Sequence, residues 1–383
     1  MGKQVLIIQR RLPQYRVPLF ESLRHRLAEE NIHLNVVYSS PSSDDLLKRD
    51  EGELEWGLRI PSHSIRFWKL RLIFQKISKD ELERQDLIIL PHENKFLPNY
   101  LLLQKQRKDR MKLAFFGHGT NFQEDRNNGY QNKLRVWTAR HVDWWFAYSS
   151  ISVKKVIDYG FPENRITCLN NTIDINELIR WRESISPDEL DALRVALDLK
   201  GKKVGVFIGG FYKEKRLDFL FSAADDLHRQ LEDFELLIIG GGPWCDRVGD
   251  YVSNRPWAKW VGAKHDREKV LHLALGHVMV NPGMVGLGIL DSFVCGLPMV
   301  TTDCKIHSPE IAYLEPGRNG IITENTLEAF TEEVGKLFVN PGLRQKIAEE
   351  GIKDSSEYLL ENMVQRFCEG ITQALNTPHF YTR

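Results

Sequence analysis

Short apolar runs and longer amphipathic segments alternate along most of the chain. The runs at residues 4–9, 34–38, 86–90, 112–116 and 142–148, then 203–208, 234–239, 277–280 and 299–302, are bounded by polar or glycine-bearing turns. Continuous apolarity is the mark of a strand buried on both faces, so these runs predict parallel strands. Residues 19–30, 153–159, 271–275 and most of 327–375 instead place apolar side chains three and four apart, the period of a helix with one buried face. Strand and helix in alternation predict an α/β fold of mostly parallel sheets. Residues 175–202 are charged and helical with no strand candidate, which fits a connection between two such units. Two stretches resist the pattern. Residues 39–54 are polar without an apolar period and read as a mobile loop. Residues 65–76 interleave Arg66, Lys69, Arg71 and Lys76 with aromatics and aliphatics, which suits either a membrane interface or a core helix with a solvated face.

The loops after the strands carry the candidate chemistry, because open α/β sheets bind ligands at the carboxyl ends of their strands. One strand ends at Asn281-Pro282-Gly283, a helix opens at Gly286, and Gly296-Leu297-Pro298 closes it before the next strand. A helix opening on glycine offers unsatisfied N–H groups and the positive end of its dipole, both suited to phosphate. Gly286 and Leu287 supply those groups, and Asp291, about one and a half turns further on, is within reach of a ribose hydroxyl. Strand, glycine pair, basic turn and helix recur where Gly209 and Gly210 precede Lys213, Lys215 and Arg216. That is a second phosphate-binding geometry, though neither a Walker loop nor GxGxxG. Gly117-His118-Gly119 leaves an imidazole uncovered at a strand end, to meet a ligand or to cap the next helix. In the first loop, Arg11 and Arg16, on either side of Tyr15, hold an acceptor anion or pair with local carboxylates.

A chain of 383 residues with 42% apolar residues exceeds one ordinary core and suggests two domains. Net charge is zero, yet residues 1–180 hold 29 Lys and Arg against 22 Asp and Glu. The first half is therefore basic and the one to meet an anionic partner, unless the excess is only uneven surface decoration. Nucleic acid is a poor candidate for a neutral chain without a recognised binding module. Five scattered cysteines without CxxC spacing argue for reduced thiols rather than disulfides or zinc. Arg10-Arg11 follow the first apolar run too closely for a signal peptide, and no apolar run approaches the roughly 18 residues of a membrane span. The expectation is a cytoplasmic protein, at most peripheral on an anionic membrane surface.

Residues 280–322, with what surrounds them, resemble the nucleotide-sugar half of the group 1 glycosyltransferases (family 4), two-domain enzymes of the GT-B fold. Gly286, Leu287, Asp291, Cys295, Gly296, Pro298 and Val300 match the tail of that family's pattern. Lys215 and Asp218 match its Gly-Arg-Leu-x-x-x-Lys-Gly-x-Asp loop, Asn170 to Asp174 its Asn-Gly-Val-Asp turn, and Gly240 to Pro243 its Gly-x-Gly-Pro turn. Trp260 to Ala263 match its next strand and glycine, and residues 308–310 and 317–320 its closing turns. Two charged positions depart from the pattern. Gly210 stands where the family has an arginine, and Gly283, or Gly286 if the loop is shortened, where it has the glutamate that meets the donor sugar.

This resemblance implies two Rossmann-like domains facing a central cleft. An acceptor-side domain would occupy 1–180, a connection 181–202 and a nucleotide-sugar domain 203–355, and a last helix within 356–383 would cross back to the first domain. It implies a retaining enzyme that moves a sugar from a nucleoside diphosphate donor to a hydroxyl of a glycan or lipid-linked acceptor, with no cofactor and no metal. Lys215, Arg216 and the N–H groups of Gly209, Gly210, Gly286 and Leu287 would hold the diphosphate. Gly262 would meet the base, Asp291 the ribose and His118 the sugar, while Arg11, Tyr15 and Arg16 would face the acceptor. Two rivals are a GT-B nucleotide-sugar epimerase, for which Glu93, Glu124 and Asp125 are available, and a nucleotide-sugar-binding or scaffold protein whose catalysis the two absent charges have impaired.

Overall fold

The computed structural model describes residues 2–40, 50–67, 70–106, 111–119, 129–201 and 203–380. Most of the polar segment at 39–54, together with Glu124 and Asp125, lies outside the described residues. Two compact units divide the chain, one of residues 1–173 with 360–383, the other of residues 174–359.

The first unit runs through β1 (Lys3–Gln9), β2 (Ile32–Ser39), β3 (Leu58–Ile60), a hairpin of β4 (Ser62–Phe67) and β5 (Leu70–Gln75), then β6 (Leu87–Pro91), β7 (Lys112–Gly117), β8 (Trp144–Ala147) and β9 (Ile166–Cys168). All but the hairpin form one parallel sheet in the order β3-β2-β1-β6-β7-β8-β9. Alternation along each strand sends Val5, Ile7, Ile89 and Phe116 to one face and Leu6, Ile8, Leu90 and Phe115 to the other. The first face is covered by α1 (Val17–Glu29) and by the C-terminal helix Leu360–Asn376, whose Leu360, Met363, Val364, Phe367 and Ile371 form its buried stripe. Pro18 is accommodated because the first turn of α1 needs no backbone N–H there. The second face is covered by the hairpin and by α2 (Lys79–Glu83), α3 (Pro98–Gln106), α4 (Tyr130–Ala139) and α5 (Ser150–Asp158).

Residues 65–67 and 70–75 are strands of that hairpin, not a helix. β-branched and aromatic residues alternating with cations suit a two-stranded ribbon, and Ile73 stitches it to the chain beyond β6. Its N–H donates to the Lys95 carbonyl (2.7 Å) and its carbonyl accepts from Leu97 N–H (2.9 Å).

In the second unit, β10 (Lys203–Ile208), β11 (Phe234–Ile239), β12 (Ala258–Trp260), β13 (Val278–Val280), β14 (Met299–Thr302) and β15 (Gly320–Thr323) lie parallel in the order β12-β11-β10-β13-β14-β15. The stretch read as a connection holds α6 (Ile175–Glu183) and α7 (Pro187–Ala196), the latter opened by a Ser186–Glu189 capping box. These helices belong to the second unit, because Ile175 and Leu178 are buried and α6 packs on two later helices. After β10 comes α8 (Leu217–Gln230), after β11 α9 (Cys245–Ser253), after β12 α10 (Asp266–Leu273) and after β13 α11 (Gly288–Cys295). Helix α11 is apolar almost all round because it is enclosed between α6 and the helix Pro341–Ser355, and Gly296 ends it in the left-handed conformation (φ 62°).

Two histidines make the fold acid-sensitive. His277 Nδ1 accepts from Val204 N–H (3.2 Å), and burial, then Arg344 and Arg194, push its pKa down to about 4. Burial, then Arg135, pushes His92 down to about 3. Between those values and about 6.5 the unfolded chain binds protons that the folded chain refuses. This part of the stability is whole above about pH 6.5 and is lost as the pH falls toward about 4. The thermal midpoint should be flat from about pH 8 to 7 and drop below about pH 6; a midpoint that holds down to about pH 4.5 would contradict this.

Candidate active site

In the second unit the strand order reverses between β10 and β13, the kind of switch point that opens a crevice at the carboxyl ends of the strands. The turn after β10 and the loop after β13 are laced together there. Lys215 is 8% exposed and runs against Gly209, where a Cβ would stand 3.1 Å from Lys215 Cε. Its Nζ donates to the Met284 carbonyl (2.6 Å), and Met284 N–H donates back to the Glu214 carbonyl (2.8 Å). Among the described residues that carbonyl is the one acceptor on the ammonium, which leaves two of its N–H donors for a ligand. Burial lowers the Lys215 pKa to about 8. The group is thus cationic at neutral pH yet poorly solvated, the state in which a charge acts most strongly on an anion.

Beyond Met284 the loop opens α11. Leu287 stands at the N-cap without a side-chain cap, and the N–H groups of Gly286, Leu287 and Gly288 meet no protein acceptor among the described residues. Val285 N–H donates instead to His307 Nδ1 (3.1 Å), while His307 Nε2 donates to the Thr302 carbonyl (2.7 Å). A buried imidazole therefore braces the loop. Asp291, in the first turn of α11 and 7% exposed, is ion-paired with Lys269 of α10 at 2.7 Å. Gly262 adopts φ +76° with open space where a side chain would begin, and its carbonyl accepts from Gly240 N–H (2.8 Å).

Arg216 is employed differently. It stands at φ 54° between the turn and α8, and its Nη1 donates to the Pro282 carbonyl (3.0 Å), Thr302 Oγ1 (2.9 Å) and Asn325 Oδ1 (2.6 Å). Its guanidinium also lies 4.4 Å from the Phe219 ring centre. That one nitrogen, with two of the five guanidinium N–H donors, ties three loops together.

Gly210 and Gly283 are both closely approached by neighbours. A Cβ on Gly210 would stand 2.6 Å from the Tyr212 ring, and one on Gly283 2.5 Å from the Glu214 and Lys215 carbonyl oxygens. The space a side chain would enter at either position is filled by neighbours.

In the first unit the loops after β1, β7, β8 and β9 gather Arg16, His118, Tyr148 and Asn171. Arg16 is 2% exposed, lies over the rings of Tyr15, Phe116 and Tyr148 at 5.1, 5.2 and 5.1 Å, and donates to Asn171 Oδ1 (2.6 Å). His118 is open to solvent and meets the Tyr148 ring edge-on at 4.4 Å. Protein packed around it, and then Arg16, push its pKa down to about 4, so it is neutral at neutral pH. Arg11 forks onto Asp50 at 2.7 and 3.0 Å. Of the two readings of these arginines, the structure places Arg11 on a local carboxylate and Arg16 in an aromatic cage, while Tyr15 stays 38% exposed. Glu93, the described member of the acid–base set available to an epimerase, pairs with Lys95 (3.3 Å) and Arg10 (3.7 Å).

Lys269, His307, Tyr148 and Asn171 were not legible as site residues, because their partners are distant in sequence. His307, two residues before Pro309 of the closing turn, carried the nearest thing to a signal. Among the described residues the five cysteines are free, no His, Cys, Asp and Glu cluster is placed to hold a metal, and no helix is long and apolar enough to cross a membrane.

Two doubly wound units, the second with its site at the switch point, make up the GT-B fold of glycosyltransferases. The Anabaena protein HepE, solved in complex with UDP, superimposes with a TM-score of 0.71 over 97% of this chain and 100% of its own, at 14% identity. Residues 19–177 match the family model "Glycosyltransferase Family 4" and residues 202–340 the model "Glycosyl transferases group 1". The chain belongs to this glycosyltransferase family. An uncharacterized glycosyltransferase of Methanocaldococcus jannaschii is 24% identical over 321 residues, covering 78% of this chain and 75% of the relative. A GDP-mannose-dependent alpha-(1-6)-phosphatidylinositol monomannoside mannosyltransferase of Mycolicibacterium smegmatis is 28% identical over 169 residues, 40% of this chain and 44% of that one.

Proposed function

We propose that this protein transfers a sugar from a nucleoside diphosphate donor to a hydroxyl of a glycan or lipid-linked acceptor, with retention of anomeric configuration and without a metal. The pathway that fits is surface polysaccharide or lipid-linked glycan synthesis. One observation carries the reading. Among the described residues, a buried ammonium with two uncommitted N–H donors and three unpaired backbone N–H groups meet at one switch point. The group that leaves is a diphosphate, and its developing charge is what catalysis must stabilise. In this reading Lys215 and the N–H groups of Gly286 and Leu287 hold the diphosphate, with Gly209 and Gly210 beside them. Arg216 shapes the turn that presents Lys215, Gly262 borders the base, and Asp291, held by Lys269, takes the ribose. The role the resemblance gives His118, contact with the donor sugar, suits an imidazole that is neutral at neutral pH.

The test is a thermal-shift screen against UDP, GDP, ADP, CMP and their common sugars, since a ligand of the folded state alone raises the midpoint with concentration. HepE was solved with UDP and the mycobacterial relative is GDP-mannose-dependent, so those two bases head the screen. A shift with one base is expected, followed by turnover that survives EDTA. No shift with any nucleotide would overturn the donor reading. Binding without turnover would favour an impaired nucleotide-sugar-binding protein, the reading that Gly210 and Gly283 support.

A further inference from the structure

The opening of α11 is approached by two segments of chain. One is its own loop after β13; the other is the chain beyond β14, which comes back against that loop at His307 and Ser308. The pair clamps Val285 on both sides. Val285 N–H donates to His307 Nδ1 (3.1 Å), and Ser308 N–H donates to the Val285 carbonyl (2.9 Å). Val285 and His307 are buried, whereas Gly286, Leu287, Gly288 and Ser308 are each partly exposed. The clamp therefore fixes Ser308 beside the three unpaired N–H groups, at a place that a ligand can reach.

The hydroxyl of Ser308 is unused by the fold. Ser308 stands at the N-cap of a short 3₁₀ helix, Pro309–Tyr313, with φ −72° and ψ 163°. A serine in that position ordinarily accepts from a backbone N–H of the first turn. Here no side-chain cap forms, and among the described residues Ser308 Oγ has no other protein partner. It faces α11 instead. A Cβ on Gly286 would find, beyond its chain neighbours, only Ser308 Oγ at 3.7 Å and Ser308 Cβ at 3.9 Å, and a Cβ on Gly288 would find nothing within 4 Å. A phosphate held by the N–H groups of Gly286 and Leu287 would thus have this hydroxyl as a neighbour.

We propose that Ser308 is a further donor-binding residue, whose hydroxyl donates a hydrogen bond to the diphosphate held by Lys215 and the N–H groups of α11. The inference rests on the donor reading of this site and adds a contact to it. A hydroxyl can donate or accept, so its surroundings decide which it does. The free groups around this opening, the Lys215 ammonium and the three backbone N–H groups, are all donors, so what enters must accept from them. A phosphate oxygen accepts from all of them and from Ser308 as well. Glu310, two residues on, is 2% exposed and presents no carboxylate to solvent. With glycine at 210 in place of the family's arginine, a neutral donor from the loop after β14 adds to what holds the leaving group. The competing ligand is a hydroxyl of the donor sugar, for which Ser308 would be the acceptor.

The experiment is calorimetric titration of the full chain and of Ser308→Ala with UDP and UDP-glucose, and with GDP and GDP-mannose. Because the hydroxyl has no partner within the protein, the ligand-free thermal midpoint of the variant should stay within about 2 °C of the wild type. For the base that binds, the Kd of the nucleoside diphosphate and of its sugar should both rise at least about tenfold, the loss of one hydrogen bond to a charged acceptor. Equal diphosphate affinity in the two proteins overturns the inference while leaving the donor reading intact. If only the nucleotide sugar binds more weakly, Ser308 reads the sugar and the diphosphate contact is overturned. A ligand-free midpoint lowered by more than about 5 °C makes the role structural and overturns it too. No binding of any of these ligands by the wild type overturns the donor reading and this inference with it.

Discussion

Lys215→Met should lower kcat by about two to three orders of magnitude on whichever nucleotide sugar the screen selects, while the variant melts no lower than the wild type. Methionine keeps most of the length that lies against Gly209 and removes the charge, so the comparison isolates the ammonium. The two halves of the prediction share one cause. Burial holds the Lys215 pKa at about 8 in the fold, well below the value of an unfolded lysine, so keeping the charge there costs about 3 kcal/mol at neutral pH. By the same linkage that cost fades as the pH rises from about 8 to 10.5, where the fold releases a proton that the unfolded chain keeps. Methionine removes the cost and forfeits one hydrogen bond to the Met284 carbonyl, a smaller loss of about 1 to 2 kcal/mol. A residue that destabilises the fold and improves turnover is held for its chemistry. Turnover at the wild-type level would remove Lys215 from the mechanism. Lost turnover with a midpoint far below the wild type would make its role structural.

Strands buried on both faces were the most legible part of the chain, since continuous apolar runs such as residues 203–208 and 234–239 read the same in isolation as in the sheet. Helix α11 was legible from its closing Gly296 and less so from its start, which lies two residues beyond Gly286 because Leu287 takes the N-cap. The hairpin at 62–75 was not, because alternation over six residues per strand competes with a helical reading of the same apolar positions. Residues 175–196 looked like a connection because charge dominates them; only their packing on α10 and α11 shows that Ile175 and Leu178 face a core. In the site, Lys215, Gly286 and Asp291 were legible because each sits at a fixed offset from a strand end. The bracing by His307 and the Lys269 partner of Asp291 were not, since they join loops 22 residues apart and helices separated by β13. Nor was the reason for Gly283, a contact with a turn nearly 70 residues earlier.

That contact makes Gly283→Ala the substitution with the largest expected effect on the fold. Its Cβ would stand 2.5 Å from three backbone atoms of Glu214 and Lys215, and Gly283 has no positive φ to complicate the comparison. Backbone is a poor yielding partner, so the turn at 213–216 must move, and with it the Met284–Glu214 hydrogen bond and the position of the Lys215 ammonium. Overpacking that displaces a laced turn should cost about 3 kcal/mol, or a fall of about 6 to 12 °C in the midpoint of a unit of this size. Nucleotide binding should weaken with it. Gly286→Ala is the control three residues on. There a Cβ would meet Ser308 Oγ at 3.7 Å, an ordinary contact, so the midpoint should move by less than about 2 °C. A glutamate at 283 would begin with the same Cβ. A glutamate there should therefore damage the site rather than improve it, because the turn that carries Lys215 already fills that space. Equal midpoints for the 283 and 286 variants would show that the turn yields freely, and the close approach would then have no part in holding Lys215.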